Sequence, residues 1–152
     1  MSKIAIIVGS SSDLAVLESA KPYLEFFKLD HDIQVLSAHR QHDELVDYVQ
    51  QSEKDGTRVI IACAGMAAHL PGVVAAVTNL PVIGVPLDAS SLNGMDALLS
   101  IVQMPKGIPV ATMAIGKAGV INAVVYAAKI LALNDPTLRS KLDEFHNKGS
   151  KL

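Results

Sequence analysis

Val59-Ile60-Ile61-Ala62-Cys63 and Val82-Ile83-Gly84-Val85 decide the fold. Neither stretch alternates apolar with polar residues. A strand built from either would bury both of its faces, as strands do in a parallel sheet covered by helices. Working outward, these runs alternate with segments whose apolar residues recur at helical spacing. Lys3–Val8 is a β-branched run ended by Gly9, and Asp13–Phe27 then carries Leu14, Leu17, Ala20, Leu24 and Phe27 on one face. Pro22 falls inside that pattern and removes a backbone donor, which predicts one helix with a kink. The alternation continues with strand His31–Leu36, helix Asp43–Lys54 closed by Gly56, strand Arg58–Cys63 and helix Pro71–Thr78. Strand Val82–Val85, helix Leu92–Val102, strand Ile108–Met113 and helix Lys117–Leu133 follow. Five successive strand-helix units predict an open three-layer α/β fold with a parallel sheet, of flavodoxin-like type. A closed eight-stranded barrel needs about 250 residues, and the chain has 152.

Asp135-Pro136 reads as the N-cap and first-turn proline of a C-terminal helix over 135–146, with Leu138, Leu142 and Phe145 as its apolar stripe. The expected organisation is one α/β domain over 1–152, its core ending near 133 and a frayed tail over 147–152. In Lys117–Leu133 only Asn122, Tyr126 and Lys129 form a polar stripe, while Val120, Ile121, Val124, Val125, Ile130 and Leu131 cover most of the rest. Pro71–Thr78 is apolar nearly all round. Two such helices carry more apolar surface than one sheet face covers, which predicts a homo-oligomer.

Hydrophobic residues make up 50% of the chain and charged residues 18%, which excludes a disordered chain. Thirteen Lys and Arg against 15 Asp and Glu give a net charge of −2, so there is no basic field to hold a polyanion and no nucleic-acid partner is expected. The single cysteine, Cys63, can neither staple the fold nor complete a zinc site. Nothing before Ile4 reads as a secretion signal, and no apolar run spans a membrane, so a cytoplasmic protein without a membrane partner is expected.

Ligands of open α/β sheets bind beyond the carboxyl ends of the strands, so chemistry is sought in the loops after each strand. Gly9-Ser10-Ser11-Ser12-Asp13 leads small hydroxyl residues into a helix start, where free N–H groups favour an anion such as phosphate. A serine-rich helix cap is the competing reading. Neither a G-x-G-x-x-G fingerprint nor a complete P-loop is present, because position 111 is Ala, so no nucleotide cofactor is expected. Ser37-Ala38-His39-Arg40 sets a group that titrates near neutrality beside the forked donors of a guanidinium. The alternative is an ordinary surface His beside a surface Arg. His42 reads as helix-start decoration, and His31 and His146 as exposed. The loop Gly65-Met66-Ala67-Ala68-His69 is poor in side chains, which lets a flat ligand approach its backbone. Cys63 and His69 could form a thiolate pair, but Cys63 ends a buried strand and reads as core. No set of His, Cys, Asp and Glu has metal-ligand spacing, so a metal-free site is expected.

These loops carry a resemblance. G-S-x-S-D after the first strand, S-A-H-R after the second and A-H-L-P-G after the third, with S-I-V-Q-M-P and A-I-G-K-A-G further on, resemble the class I N5-carboxyaminoimidazole ribonucleotide mutases of purine biosynthesis. The likeness runs in order from about Ile4 to Leu133. It implies interconversion of N5-carboxyaminoimidazole ribonucleotide and 4-carboxy-5-aminoimidazole ribonucleotide, without metal or organic cofactor, in a homo-octamer. Carried over by motif, Ser10, Asp13, Ser37 and Arg40 become substrate contacts, Ser12 a phosphate contact and His39 the acid and base. Gly65, Met66, Ala67, Ala68 and His69 become the wall near the transferred carboxylate. Three positions depart from the family pattern: Met66 stands where a second glycine is usual, Gln41-His42 where Thr-Pro is common, and Asp88-Ala89 where Gln-Ser is frequent. The sister class II carboxylases, which take free CO2 and aminoimidazole ribonucleotide, tend to have Lys after S-A-H and lack A-H-L-P-G, so Arg40 and Ala68–Gly72 favour class I. A phosphometabolite-binding module without chemistry is the reading from another class.

Overall fold

The computed structural model describes residues 3–152. Its five strands are all parallel and lie in the order β2-β1-β3-β4-β5. These are β1 (Lys3–Val8), β2 (Asp30–Val35), β3 (Thr57–Gly65), β4 (Val82–Leu87) and β5 (Ala111–Thr112). The strand order and the helices on both faces are those of a flavodoxin-like fold, as predicted.

The uninterrupted apolar strands feed two cores. Ile4, Ile6, Val8, Val59, Ile61, Cys63, Ile83 and Val85 face one side, where α1 (Leu14–Leu17), α2 (Lys21–Phe27), α6 (Lys117–Leu131) and α7 (Pro136–Asn147) cover them. Ala5, Ile7, Ile60, Ala62, Ala64 and Val82 face the other, beneath α3 (His42–Lys54), α4 (Leu70–Ala76) and α5 (Met95–Val102). Each fully buried Ile or Val in these clusters stabilises the fold by about 1.5–3 kcal/mol. Gly84 shows how tightly the second face closes. A Cβ there would stand 2.6 Å from Ile101 and 2.8 Å from Val110, so only glycine leaves room for the layer above it.

Four expectations need correction. The first helix is not one kinked rod but two short α segments separated by a 3₁₀ turn at Glu18–Ala20. Pro22 sits in the first turn of α2, where its missing N–H costs nothing. The fifth strand shrinks from Ile108–Met113 to two residues. Pro109 lacks a donor, and the turn that bonds Ile108 N–H to the Pro105 carbonyl at 3.2 Å keeps the chain off the sheet until Ala111. The fifth helix starts at Met95 rather than Leu92, because Asn93 and Gly94 are both left-handed, with φ of 52° and 83°. Finally, the apolar surplus of Lys117–Leu133 is largely covered within the chain. Val120, Ala123, Val124, Ala127, Ala128 and Leu131 are buried, and Ile121, Val125 and Ile130 half-buried, between the sheet, α2 and α7. The uncovered apolar stripe lies instead along α5 and its approach: Leu92, Met95, Leu99 and Val102 are 46–62% exposed.

The C-terminal helix forms as predicted. Asp135 Oδ1 accepts the N–H groups of Thr137 and Leu138 at 3.0 and 3.1 Å, and Pro136 opens the first turn. Phe145 then packs its ring 5.3 Å from Phe27 and 5.9 Å from Tyr23.

Candidate active site

Because β1 lies between β2 and β3, Val8 sits opposite Val35 on one side and Cys63 on the other. The loops that leave those three strands therefore stand side by side at the carboxyl edge. The winding reverses at this point, since the chain crosses over β1 between β2 and β3, and a crevice for ligand opens there in such sheets.

In the first loop, Ser10 Oγ lies 3.0 Å from Ser12 Oγ and accepts the Ser12 N–H at 3.4 Å. Both serines are exposed. The segment that follows is a 3₁₀ turn, Ser11–Asp13, and then the four-residue α1. So short a helix contributes little dipole, and an anion here would be held by hydroxyls and free N–H groups. Asp13 is half-buried at the base of the loop. Burial raises its carboxyl above the ordinary range, outweighing a hydrogen bond from the Ser10 backbone that lowers it. Burial, with the nearby Asp13 charge, also pushes the Cys63 thiol up to about 12. No thiolate forms there near neutrality, so Cys63 is an inert core residue and the Cys63–His69 pair is discarded.

In the second loop, Ser37 Oγ accepts the Arg40 N–H at 3.2 Å and the Ser37 carbonyl accepts the Gln41 N–H at 2.9 Å. This turn buries Ala38 and leaves His39 and Arg40 exposed at the edge. Among the described residues no carboxylate lies within ion-pairing distance of the Arg40 guanidinium. His42 is exposed and opens α3, and His31 and His146 are exposed elsewhere, as expected.

In the third loop the Ala68 N–H donates to the Gly65 carbonyl at 3.1 Å, and His69 begins α4 as its N-cap residue. Met66, Ala67 and His69 are exposed, whereas Ala68 is buried. This loop meets the second directly. His39 Nε2 lies 2.6 Å from His69 Nδ1, with the two ring planes at 89°. The two rings had been assigned separate roles from sequence, and their contact is what that reading missed. Thirty residues separate them, and only the order β2-β1-β3 folds one loop against the other. In the neutral pair one ring donates and the other accepts, which leaves His39 Nδ1 and His69 Nε2 for other partners. Such a pair can take up one further proton and give it back.

The remaining two loops reach the same edge. Asp88 follows β4, and its Oδ1 lies 3.5 Å from where a Cβ on Gly116 would stand, ahead of Lys117. A cavity of about 450 Å³ opens at the opposite end of the sheet, lined by Thr78, Asn79, Pro81, Ile108, Pro109 and Tyr126 among others. No His, Asp, Glu, Lys or Arg is among its lining residues. Among the described residues no three His, Cys, Asp or Glu side chains are grouped to hold a metal ion, and no helix is long and apolar enough to cross a membrane.

The sequence and the fold match known proteins. Residues 3–151 match the AIR carboxylase family. The chain is 49% identical to the N5-carboxyaminoimidazole ribonucleotide mutase of Escherichia coli over 143 residues, 94% of this chain and 85% of that one. It is 51% identical to the mutase of Thermotoga maritima over 145 residues, covering 95% and 84%, and 52% identical to that of Bacillus subtilis over 141 residues, covering 93% and 87%. The crystal structure of Treponema denticola PurE superposes with a TM-score of 0.89 at 26% identity, over 99% of this chain and 92% of that one. A 3-dehydroquinate dehydratase-like protein from Bifidobacterium longum, at 17% identity and a TM-score of 0.54, shares the fold alone. With a family match across nearly its whole length and half its residues identical to several mutases, the chain belongs to the AIR carboxylase family.

Proposed function

We propose that this chain is a cytoplasmic mutase that interconverts N5-carboxyaminoimidazole ribonucleotide and 4-carboxy-5-aminoimidazole ribonucleotide in purine biosynthesis. The observation that carries the reading is the contact of His39 with His69 at an edge where Arg40 and the hydroxyls of Ser10 and Ser12 stand exposed. The mutases to which the chain is about half identical support the substrate class, a phosphorylated imidazole ribonucleotide.

The step balances with one proton carrier. The bond between the carbamate carbon and the exocyclic nitrogen breaks, and its electron pair stays on nitrogen. That nitrogen takes a proton from the protonated His39–His69 pair, and CO2 is released beside the ring. The electron-rich ring carbon then attacks CO2, forming the new C–C bond. The same carbon gives its proton back to the pair and the ring regains aromaticity. One proton is given and one taken, so the pair ends as it began. Arg40, with the Ser10 and Ser12 hydroxyls, holds the phosphate, Asp13 and Ser37 border the substrate, and the small residues of the Gly65–Ala68 loop leave room for CO2. Keeping CO2 against the ring until it is recaptured is catalysis by proximity.

The same reading assembles the chain into a homo-oligomer, an octamer by the family resemblance. The exposed residues Leu92, Met95, Leu99 and Val102 support assembly, because four large apolar side chains this close together, three of them at helical spacing on α5, exceed ordinary scattered exposure.

The test is direct. Purified protein, dialysed against a chelator, is given the carbamate and product is followed by ultraviolet absorbance, with binding measured by calorimetry. His39→Asn should bind normally and turn over roughly 10²–10⁴-fold more slowly. Wild-type protein that binds without forming product would be a phosphometabolite-binding module. Product formed only from aminoimidazole ribonucleotide and bicarbonate would make it a class II carboxylase.

A further inference from the structure

The turn that presents His39 and Arg40 is closed by one side chain from the start of α3. The Ser37 carbonyl accepts the Gln41 N–H at 2.9 Å, and the Ser37 N–H donates in return to Gln41 Oε1 at 3.2 Å. Two bonds between the same two residues thus span the mouth of a turn whose interior is Ala38, His39 and Arg40. The other end of the Gln41 amide is held as well, because Nε2 donates to Glu44 Oε2 at 2.8 Å. The two partners settle which way round the amide lies, since the Ser37 N–H needs an acceptor and an ionised carboxylate can only accept.

Residue 41 does not serve its own helix in this way. Gln41 is the N-cap residue of α3, yet its side chain bonds none of the free N–H groups of the first turn. Ser, Thr, Asp and Asn satisfy those groups best, whereas the longer glutamine turns back over the loop. Glu44 follows His42 and Asp43 as the third residue of α3, where a glutamate commonly reaches back to the N-cap backbone N–H. That N–H is already taken by Ser37, and Glu44 anchors the side-chain amide in its place. Helix α3 is itself fixed by the buried Leu45 and Val49, so the series Glu44, Gln41, Ser37 ties an exposed turn to a packed element. Threonine is common at position 41 in the family, so glutamine is this chain's own means of holding the turn and not a requirement of the reaction.

Two side chains ride on that turn, and slack affects them differently. The His39 imidazole hangs on a single methylene and must stay 2.6 Å from His69 Nδ1. A displacement of about 1 Å breaks such a contact. Arg40 reaches out on a longer, jointed stem and can follow a phosphate from a backbone that has moved.

We propose that Gln41 is a positioning residue for the reaction: its amide, anchored by Glu44, braces the turn from Ser37 to Gln41 and so keeps His39 against His69. The inference rests on the mutase reading above, and within that reading Gln41 touches neither the substrate nor the travelling proton.

Turnover of the carbamate, calorimetric binding and Tm are measured on wild type and four variants. These are Gln41→Met, the exchange of Gln41→Glu with Glu44→Gln, His39→Asn, and His39→Asn combined with Gln41→Met. Methionine keeps the length of the side chain and loses both hydrogen bonds. It should lower kcat roughly 3- to 10-fold, the worth of one such bond at the reacting group, with KM and binding within about twofold of wild type. The exchange retains both bonds with the roles reversed, the new carboxylate accepting from the Ser37 N–H and from the new amide at 44, and should return kcat to within about twofold of wild type. In the His39→Asn background Gln41→Met should cost nothing further, because a brace acts only through the group it holds. A Gln41→Met protein with wild-type kcat, whatever its Tm, overturns the proposal and leaves the amide a helix-end contact. So does a loss that appears in KM alone, one that the exchange fails to restore, or one repeated in full without His39. Each of those results leaves the mutase reading standing, whereas wild type that binds the carbamate and forms no product ends that reading and the brace with it.

Discussion

Replacing His69 by Ala tests whether the two imidazoles work as a unit. The hydrogen bond between His39 Nε2 and His69 Nδ1 is short, at 2.6 Å, and holds the rings at right angles. When the pair carries the extra proton, this is a hydrogen bond to a charged group, worth about 1.5–3 kcal/mol. At 1.36 kcal/mol per tenfold in rate, its loss should slow turnover by roughly 10- to 150-fold. Substrate binding, which the proposed mechanism gives to Arg40 and the serine loop, should hold. His39→Asn alone should cost about 10²–10⁴. The double variant discriminates: if His69 acts through His39, removing it from a protein already lacking His39 costs nothing more, and the two losses fail to add. Turnover of the carbamate and calorimetric binding, measured on both single variants and the double, complete the cycle. Fully additive losses would refute the coupled pair and give His69 an independent contact with substrate. A His69→Ala protein within about twofold of wild type would refute any part for the hydrogen bond in turnover.

Arg40 has no carboxylate partner among the described residues, so Arg40→Ala should raise KM about 10- to 100-fold with kcat little changed, the loss of a charge-assisted contact made equally in ground and transition states. A collapse of kcat at unchanged KM would move Arg40 into the chemical step. Burial raises the Asp13 carboxyl above its ordinary 3.8, so the folded chain holds that proton more tightly than the unfolded chain. Its contribution to stability is therefore present below the ordinary value and lost as pH rises through the raised one. Asp13→Asn should accordingly raise Tm at pH 7 more than at pH 3 while weakening substrate binding, and a lower Tm at pH 7 would show that the carboxylate stabilises the fold. Leu99→Glu, on the uncovered stripe of α5, should break the oligomer into smaller species by sedimentation at micromolar concentration; an unchanged assembly would remove α5 from the contact.

What the residues revealed beforehand depended on whether one element sufficed to decide. Val59–Cys63 and Val82–Val85 are apolar at every position, short and rich in β-branched residues, which marks them as doubly buried strands, and both form as such. Asp135-Pro136 likewise acts locally, and its cap forms. The failures involved backbone or packing set by neighbours. Asn93 takes a left-handed conformation beside Gly94, which delays α5 by three residues. Whether α6 is left bare depended on α2 and α7 closing over it, and nothing within Lys117–Leu131 records where those helices go. His39, His69, Ser10 and Arg40 were legible as chemistry because a proton carrier, a guanidinium and hydroxyls fall in the loops that follow strands, where ligands of such sheets bind. That His39 touches His69 was not legible, since it follows from β1 lying between the strands that carry them.

The site also has a stability cost that can be measured apart from its chemistry. The two cores lie within the layers, while Ser10, Ser12, His39, Arg40, Met66 and His69 are all exposed at the edge, so most site substitutions should leave Tm alone. Met66 is an exception because its cost is in the backbone, where its φ is 55°. A left-handed conformation at a non-glycine residue costs about 1–2 kcal/mol. Glycine at 66 would recover that, against about 0.4–1 kcal/mol lost to the greater freedom of the unfolded chain. The balance centres on a gain of about 0.8 kcal/mol within a span of about 0–1.6 kcal/mol, or about 2–3 °C in Tm for a chain of this length. Met66→Gly should thus melt above wild type by scanning calorimetry, a gain that simple damage to the loop cannot produce. A lower Tm for Met66→Gly would mean that the methionine supports the turn it occupies, and the strain inferred from its φ would have no energetic consequence.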